Sequence, residues 1–301
     1  MSAPKFVKIV EVGPRDGLQN ERRFVSTAQK LELIARLESA GCRAIEATAF
    51  VSPKWTPQMA DHEAVMRGLQ PREGVSYPVL TPNLKGFDAA LAAGAKEVAI
   101  FAAASESFSQ KNINCSIAES LARFAPLMQA ARASDIRVRG YVSCVLGCPY
   151  QGDIAPRAVA DVAKALLDMG CYEISLGDTI GLGVPTAVKK LIEVLQDIPM
   201  SALAGHFHDT YGMAVANVVA AWEMGVATFD SSVGGLGGCP YAKGASGNVA
   251  TEDLVWLFGR MGVETGIDLE ALVDCALWIS EALGRAPASR VARAIAAKTS
   301  P

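Results

Sequence analysis

The sequence predicts an α/β fold, a (β/α)8 (TIM) barrel with extra C-terminal helices, and three observations lead there. The chain has 301 residues, more than the roughly 100 to 200 of one ordinary core, so it is either two ordinary domains or one large α/β barrel. Half of the residues are hydrophobic, a fifth are charged and 27 are glycine, which excludes a disordered chain, a coiled coil and a fibrous repeat. A weak repeat supplies the third observation. A helix end, a glycine and an apolar strand recur in SAGCRAIEAT, AAGAKEVAIF, DMGCYEISLG and EMGVATFDSS. Gly41, Gly94, Gly170 and Gly225 fit the left-handed position that ends a helix, and each following run fits a strand buried on both faces. The intervals between them suit two βα units each, which points to eight.

Filled in on that plan, strands fall near 7–12, 43–48, 75–80, 96–102, 136–142, 172–177, 202–207 and 227–232. An amphipathic helical pattern follows each. In the first helix Ser26 and Gln29 form a capping-box pattern, Leu31, Ile34, Ala35 and Leu37 supply the apolar stripe, and Gly41 closes it. The reading is a catalytic barrel over 1–264 and an appended helical pair over 265–301, with no linker between them.

There are 28 basic and 31 acidic residues, a net charge of −3, so no nucleic-acid partner is expected. Every uncharged stretch is too short to span a membrane, and the N-terminal segment enters a strand without a secretory core, so the expectation is a soluble, cytoplasmic protein. Seven cysteines, odd in number and without a C-x-x-C pair, argue for reduced thiols.

In such a barrel chemistry sits where the C-terminal ends of the strands meet the following loops. The strongest feature there is Gly205-His206-Phe207-His208-Asp209 at the end of the seventh strand. Alternation puts His206 and His208 on one face, and two imidazoles a pleat apart suggest a metal, although a hydrogen-bonded core pair is the alternative. The third histidine, His62, looks structural on the second helix. Oxygen ligands can come from the first strand end, where Asp16 can bind a divalent cation and Arg15 can stabilise an oxyanion. Asn248 is a further donor. It follows a segment, Gly234 to Gly247, in which six of fourteen residues are glycine, and which matches no nucleotide-binding pattern but suits a lid. Cys239 within it can act as acid or base. Cys144 and Cys148 admit functional and structural readings alike. Glu46 and Asp178 can orient Arg15 or bind a substrate hydroxyl, or be structural carboxylates. Arg22, Lys54, Lys85 and Lys111, one after each of the first four strands, offer the local cationic supply that a phosphorylated cofactor or a CoA ester needs, although a solvated surface side chain is the default reading for any one of them.

The motifs VGPRDGLQNE, FVSPKWTPQM, YPVLTPNLKG, YVSCVLGCPY, EISLGDTIG and GGLGGCPYAKGASGNVATED together resemble the 3-hydroxy-3-methylglutaryl-CoA lyases, within the superfamily shared with isopropylmalate synthase. The resemblance covers nearly the whole chain. It implies a metal-dependent barrel that cleaves 3-hydroxy-3-methylglutaryl-CoA to acetyl-CoA and acetoacetate in leucine degradation and ketone-body formation. It also implies Asp16, His206, His208 and Asn248 as ligands of Mg2+ or Mn2+, Arg15 as enolate stabiliser, Cys239 as the lid thiol, and Glu46 and Glu252 as supporting residues. A homodimer is expected besides, although no residue pattern shows it. Arg15, Arg22, Glu46 and Asp178 are the expected substrate contacts, and Asp16 or His206 the base. Phe207 stands where some relatives have a smaller residue and should affect packing only. The C-terminal ARAIAAKTSP lacks the Cys-Lys-Leu ending of some animal relatives, so no peroxisomal address is expected. The rivals are an acetyl-CoA-dependent condensing acyltransferase of the isopropylmalate or homocitrate synthase type, and a catalytically silent metal or CoA-ester binding protein.

Overall fold

Each predicted strand is an apolar run bounded by a helix stop and a polar loop, and the chain folds accordingly. The computed structural model describes residues 3–238 and 247–299. The first half runs β1 (Lys8–Glu11), α1 (Thr27–Ser39), β2 (Thr48–Ala49), α2 (His62–Gly68), β3 (Val79–Leu80), α3 (Leu84–Ala92), β4 (Glu97–Ala103), α4 (Glu106–Ile113) and α5 (Ile117–Ala133). The second runs β5 (Arg137–Ser143), α6 (Pro156–Met169), β6 (Ile174–Asp178), α7 (Pro185–Val194), β7 (Leu203–Phe207), α8 (Ala214–Glu223), β8 (Thr228–Ser231) and α9 (Thr251–Arg260). Two further helices follow, α10 (Leu269–Leu283) and α11 (Arg290–Thr299). All strand pairs are parallel, in the order β1-β8-β7-β6-β5-β4-β3-β2. The sheet closes on itself through a parallel bridge between Glu11 and Ile45, where Glu11 N donates to Ala44 O and Glu46 N to Glu11 O, both at 2.9 Å. This is the expected (β/α)8 barrel.

The repeat glycines do what their positions require. Gly41, Gly94, Gly170 and Gly225 have φ of 99°, 93°, 109° and 100°, the region a side chain rarely enters. At Gly41 a Cβ would also lie 2.5 Å from Gly266 O. Ser26 caps α1 with the full reciprocal box to Gln29, an arrangement that contributes about 1 kcal/mol. The buried face of α1 is shifted from the expected stripe: Leu33, Ile34 and Leu37 are buried, whereas Leu31 and Ala35 lie on the flank. The cause is α10, which packs on α1, with Arg36 over the Trp278 ring at 4.7 Å.

Two further differences concern length. β2 and β3 are reduced to two residues each, preceded by isolated bridges at Ala44–Ser76 and Glu11–Ile45. Pro78 has no N–H to give the ladder there, although its carbonyl accepts from Ala47 N at 3.0 Å. The β4 unit carries two helices, α4 and α5, where the sequence pattern suggested one. Beyond the barrel, α10 buries Leu272, Val273, Ala276 and Ile279 in the same apolar cluster as Leu33 and Leu37 of α1. The C-terminal helices are thus packed on the barrel with a shared core.

A large apolar cluster fills the space between the sheet and most of the helices, and a second gathers Phe207, Phe229 and Phe258 behind β7 and β8. Phe207 therefore points into packing, away from the site. The inside of the barrel is different. Arg139 of β5 donates to Asp230 of β8 at 2.7 Å; these strands are not neighbours, so the bond crosses the interior. Among the described residues no helix is long and apolar enough to cross a membrane.

Candidate active site

The chain leaves β1 in a single wide helical turn, Gly13–Gly17, closed by Gly17 N donating to Val12 O five residues back at 3.0 Å. Such turns are frequent at functional sites. Both flanking glycines are required by close approach: a Cβ at Gly13 would sit 2.5 Å from Glu11 Oε1, and one at Gly17 2.7 Å from Ser232 Oγ. The turn delivers Arg15 and Asp16 to the C-terminal mouth, where β7 delivers His206 and His208. Asp16 Oδ2 lies 3.9 Å from both His206 Nε2 and His208 Nε2, and one ligand atom from each of the three residues lies within 4.8 Å of the others. Asn248 pairs with His208 across an isolated bridge and donates from Nδ2 to Asp16 Oδ2 at 2.8 Å. The structure therefore brings together all four residues expected to share a cation.

The donor set fits a divalent ion. Two imidazoles, a carboxylate and a carboxamide oxygen make a mixed shell suited to Mg2+, Mn2+ or Zn2+. Asn248 Oδ1 is buried and has no hydrogen-bond partner among the described residues, an acceptor left free beside the three-residue cluster. Burial pushes the Asp16 carboxyl up, but the Arg15 guanidinium and the two imidazoles outweigh it and hold the group well below the usual carboxylate range. It is ionised at neutral pH, as a ligand must be.

Arg15 is held rigidly. Its Nε and Nη2 reach Glu46 Oε2 at 2.6 Å, its Nη1 reaches Asp16 Oδ1 at 2.6 Å, and its guanidinium lies 5.4 Å from the centre of the Tyr141 ring. Of the roles left open for Glu46, the geometry shows orientation of Arg15. Asp178 lies at the end of β6, and its two oxygens accept from Leu182 N at 3.1 Å and Gly183 N at 2.9 Å, so it fixes the turn after β6. Burial pushes its carboxyl up, against the two backbone amides and the nearby His208 and His206 side chains. Arg22 shares a cleft with Gly237, where a Cβ would lie 2.9 Å from Asn248 Nδ2. Arg22 is exposed and lines this open cleft of about 370 Å³ with Asn20, Arg23, Gly237 and Arg285. Lys54, Lys85 and Lys111 are exposed as well. Cys239 lies outside the described residues. Cys148 Sγ accepts from Ser105 Oγ at 3.0 Å and from two backbone N–H groups, which gives it a structural role.

Glu252 supports the site from below. Its Oε1 accepts from Gly234 N at 2.8 Å, while Glu11 accepts from Gly13 N, Val233 N and Thr251 Oγ1. Burial pushes Glu252 up to about 8 and Glu11 to about 7. The sequence reading missed Asp230, Arg139, Tyr141 and Ser175, which lie beneath His206. His206 Nδ1 is 3.1 Å from Asp230 Oδ2, and Tyr141 meets the His206 ring edge-on at 6.1 Å between centres. The signal was present: Arg139 within RVRGYVS and Asp230 within TFDS, at buried positions of strands whose interiors are buried.

Fold and site define a barrel enzyme with a histidine–carboxylate cluster and a buried arginine at its C-terminal mouth. The model of the HMGL-like family matches residues 6–279. The mitochondrial hydroxymethylglutaryl-CoA lyase of Bos taurus is 63% identical over 97% of this chain and 90% of its own length. A Pseudomonas aeruginosa protein named 3-hydroxy-3-isohexenylglutaryl-CoA/hydroxy-methylglutaryl-CoA lyase is 58% identical over 99% of this chain and 100% of its own. The crystal structure of a hydroxymethylglutaryl-CoA lyase from Pseudomonas aeruginosa superimposes with a TM-score of 0.97 at 58% identity, covering 99% of this chain and 100% of that one. The chain belongs to the HMGL-like family.

Proposed function

We propose that the protein is a carbon–carbon lyase that cleaves 3-hydroxy-3-methylglutaryl-CoA to acetyl-CoA and acetoacetate. The observation that carries this reading is the convergence of Asp16, His206, His208 and Asn248 beside the buried Arg15, in a chain this similar to hydroxymethylglutaryl-CoA lyases. Asp16, His206, His208 and Asn248 would hold Mg2+ or Mn2+, which when bound supplies Lewis acidity to substrate oxygens.

The reaction is a retro-Claisen cleavage. Asp16, whose carboxylate keeps lone pairs beyond the one facing the cation, takes the proton of the C3 hydroxyl, the oxygen's electrons form the new ketone of acetoacetate, and the C2–C3 pair moves into the thioester as an enolate. Arg15, held by Glu46 and Asp16, faces that developing charge with a fixed guanidinium. Cys239, directly or through water, returns a proton to C2 and completes acetyl-CoA. Arg22 and the exposed lysines supply positive charge at the rim for the CoA moiety. The same reading places the reaction in leucine degradation and ketone-body formation, in the cytoplasm, in a homodimer.

The test is acetoacetate release from the thioester after chelation and again after Mg2+ or Mn2+ is restored, with the isohexenyl ester run in parallel to measure how large a C3 substituent is accepted. Activity that is lost on chelation and returns with the cation is expected. A chain that instead releases free CoA from acetyl-CoA and a 2-keto acid would be a condensing enzyme, and one that releases no product from any thioester a binding protein.

A further inference from the structure

Beneath the cation cluster lies a chain of buried polar groups that crosses the barrel. Asp230 on β8 is 1% exposed. Its Oδ1 accepts from Arg139 Nη2 at 2.7 Å, and its Oδ2 accepts from Ser175 Oγ at 2.7 Å and lies 3.1 Å from His206 Nδ1. Arg139, also 1% exposed, is fixed in turn by Glu173 Oε1 at 2.7 Å and by Tyr141 Oη at 2.9 Å. Glu173 continues to Lys8 Nζ at 3.4 Å. Tyr141 Oη donates to Glu46 Oε2 at 3.2 Å, the same oxygen that holds Arg15.

We propose that Asp230, anchored by Arg139 and Ser175, is a positioning residue that fixes the tautomer and ring orientation of His206 so that its Nε2 lone pair faces the cation. This rests on the reading of His206 as a cation ligand. The argument is one of donors and acceptors. A carboxylate bonded to a guanidinium has only acceptors to offer, so a contact with Nδ1 requires the proton on Nδ1. The lone pair of the neutral ring then belongs to Nε2, the atom 3.9 Å from Asp16 Oδ2. The two histidines are unequal in this respect: His208 Nδ1 is buried without a partner among the described residues. His206 is thus the ligand whose tautomer the protein fixes in advance, whereas no described residue does this for His208. Carboxylate–histidine pairs of this kind fix ring orientation and raise ligand basicity at metal sites, and their loss weakens metal binding roughly 10- to 100-fold.

The experiment uses the full chain, whose three histidines make imidazole nitrogen spectra assignable. In metal-free wild-type protein labelled with 15N-histidine, at a pH high enough that the ring is neutral, His206 is expected as the Nδ1–H form. In Asp230→Asn, Arg139 keeps the amide oxygen, the amide NH2 faces His206, and the ring is expected to switch to Nε2–H. Mn2+ binding, followed by the free-ion EPR signal, should weaken about 10- to 100-fold, with the thioester KM changed less than about threefold because Asp230 touches no substrate. An Nε2–H ring in the wild type overturns the proposal without any variant, which keeps it testable if Asp230→Asn does not fold. Mn2+ affinity within about twofold of wild type in a folded Asp230→Asn overturns it while leaving the cation reading intact. A wild-type protein that takes up no Mn2+ removes both.

Discussion

Replacing Arg15 with alanine separates transition-state stabilisation from substrate binding. The guanidinium is 7% exposed and fixed at 2.6 Å to both Glu46 and Asp16, so it need not reorganise when charge moves onto the thioester oxygen. One preorganised neutral donor to an oxyanion is worth about 10²- to 10³-fold in kcat, or roughly 2.7 to 4 kcal/mol. A full charge in a dry site belongs at the upper end, so kcat should fall about 10³-fold, near 4 kcal/mol. The charge it answers is absent from the bound ground state, so KM should change less than about threefold. The deletion also strips Glu46, whose side chain is 1% exposed, of its only cationic partner at hydrogen-bond distance among the described residues; Glu46 should then take up a proton, and Tm should fall. Arg15→Lys keeps a charge but loses the fork and should lie between. The assay is acetoacetate release at saturating thioester and Mg2+, with Tm by circular dichroism as control. A folded Arg15→Ala enzyme with kcat within about tenfold of wild type, or with the whole defect in KM, would refute the assigned role.

Three other perturbations follow from the same geometry. Asp16→Asn removes the one anionic ligand of the cluster, so Mn2+ should no longer raise Tm as it does for wild type, measured by scanning with and without the ion. Gly17→Ala places a methyl 2.7 Å from Ser232 Oγ and 2.8 Å from Leu236 Cβ, and should cost about 1 to 3 kcal/mol in denaturant unfolding while displacing the Arg15–Asp16 turn. Glu252 is raised by burial to about 8 from an ordinary 4.5. The folded state therefore binds the extra proton across that window. The stability it contributes is complete below about pH 4.5 and is lost as pH rises through 8, at up to about 1.4 kcal/mol per unit. Glu252→Gln keeps an acceptor for Gly234 N and should flatten the fall of unfolding free energy between pH 5 and 9; an unchanged slope would show that Glu252 is ionised in the folded protein.

The strands and helix ends were legible because local rules and tertiary demands agree there. A glycine that must adopt positive φ after an amphipathic helix, followed by an apolar run, has few other readings, and all four repeats obey it. Legibility failed where the determinant was remote. Pro78 shortened the β2–β3 ladder through a missing donor, and α10, distant in sequence, shifted the face that α1 buries. Within the site, Asp16, His206, His208 and Asn248 were readable because ligand chemistry restricts residue type and the strand ends restrict position.

The missed residues show a different limit, and it has a physical cause. Arg139 and Asp230 lie on strands that do not pair, and their partnership exists only because a closed sheet turns both side chains into one interior. No spacing in the sequence encodes that meeting. What the sequence does encode is the cost: a lone arginine or aspartate in a fully buried strand is unfavourable by several kcal/mol unless it is paired. Each such residue therefore implies a partner of opposite charge somewhere across the barrel. Asp178 sits at a strand end where chemistry is expected, and its oxygens accept from the amides of Leu182 and Gly183. A carboxylate has about four acceptor sites, so anchoring a turn leaves it lone pairs to spare, and a backbone contact alone does not decide between a structural and a functional carboxylate.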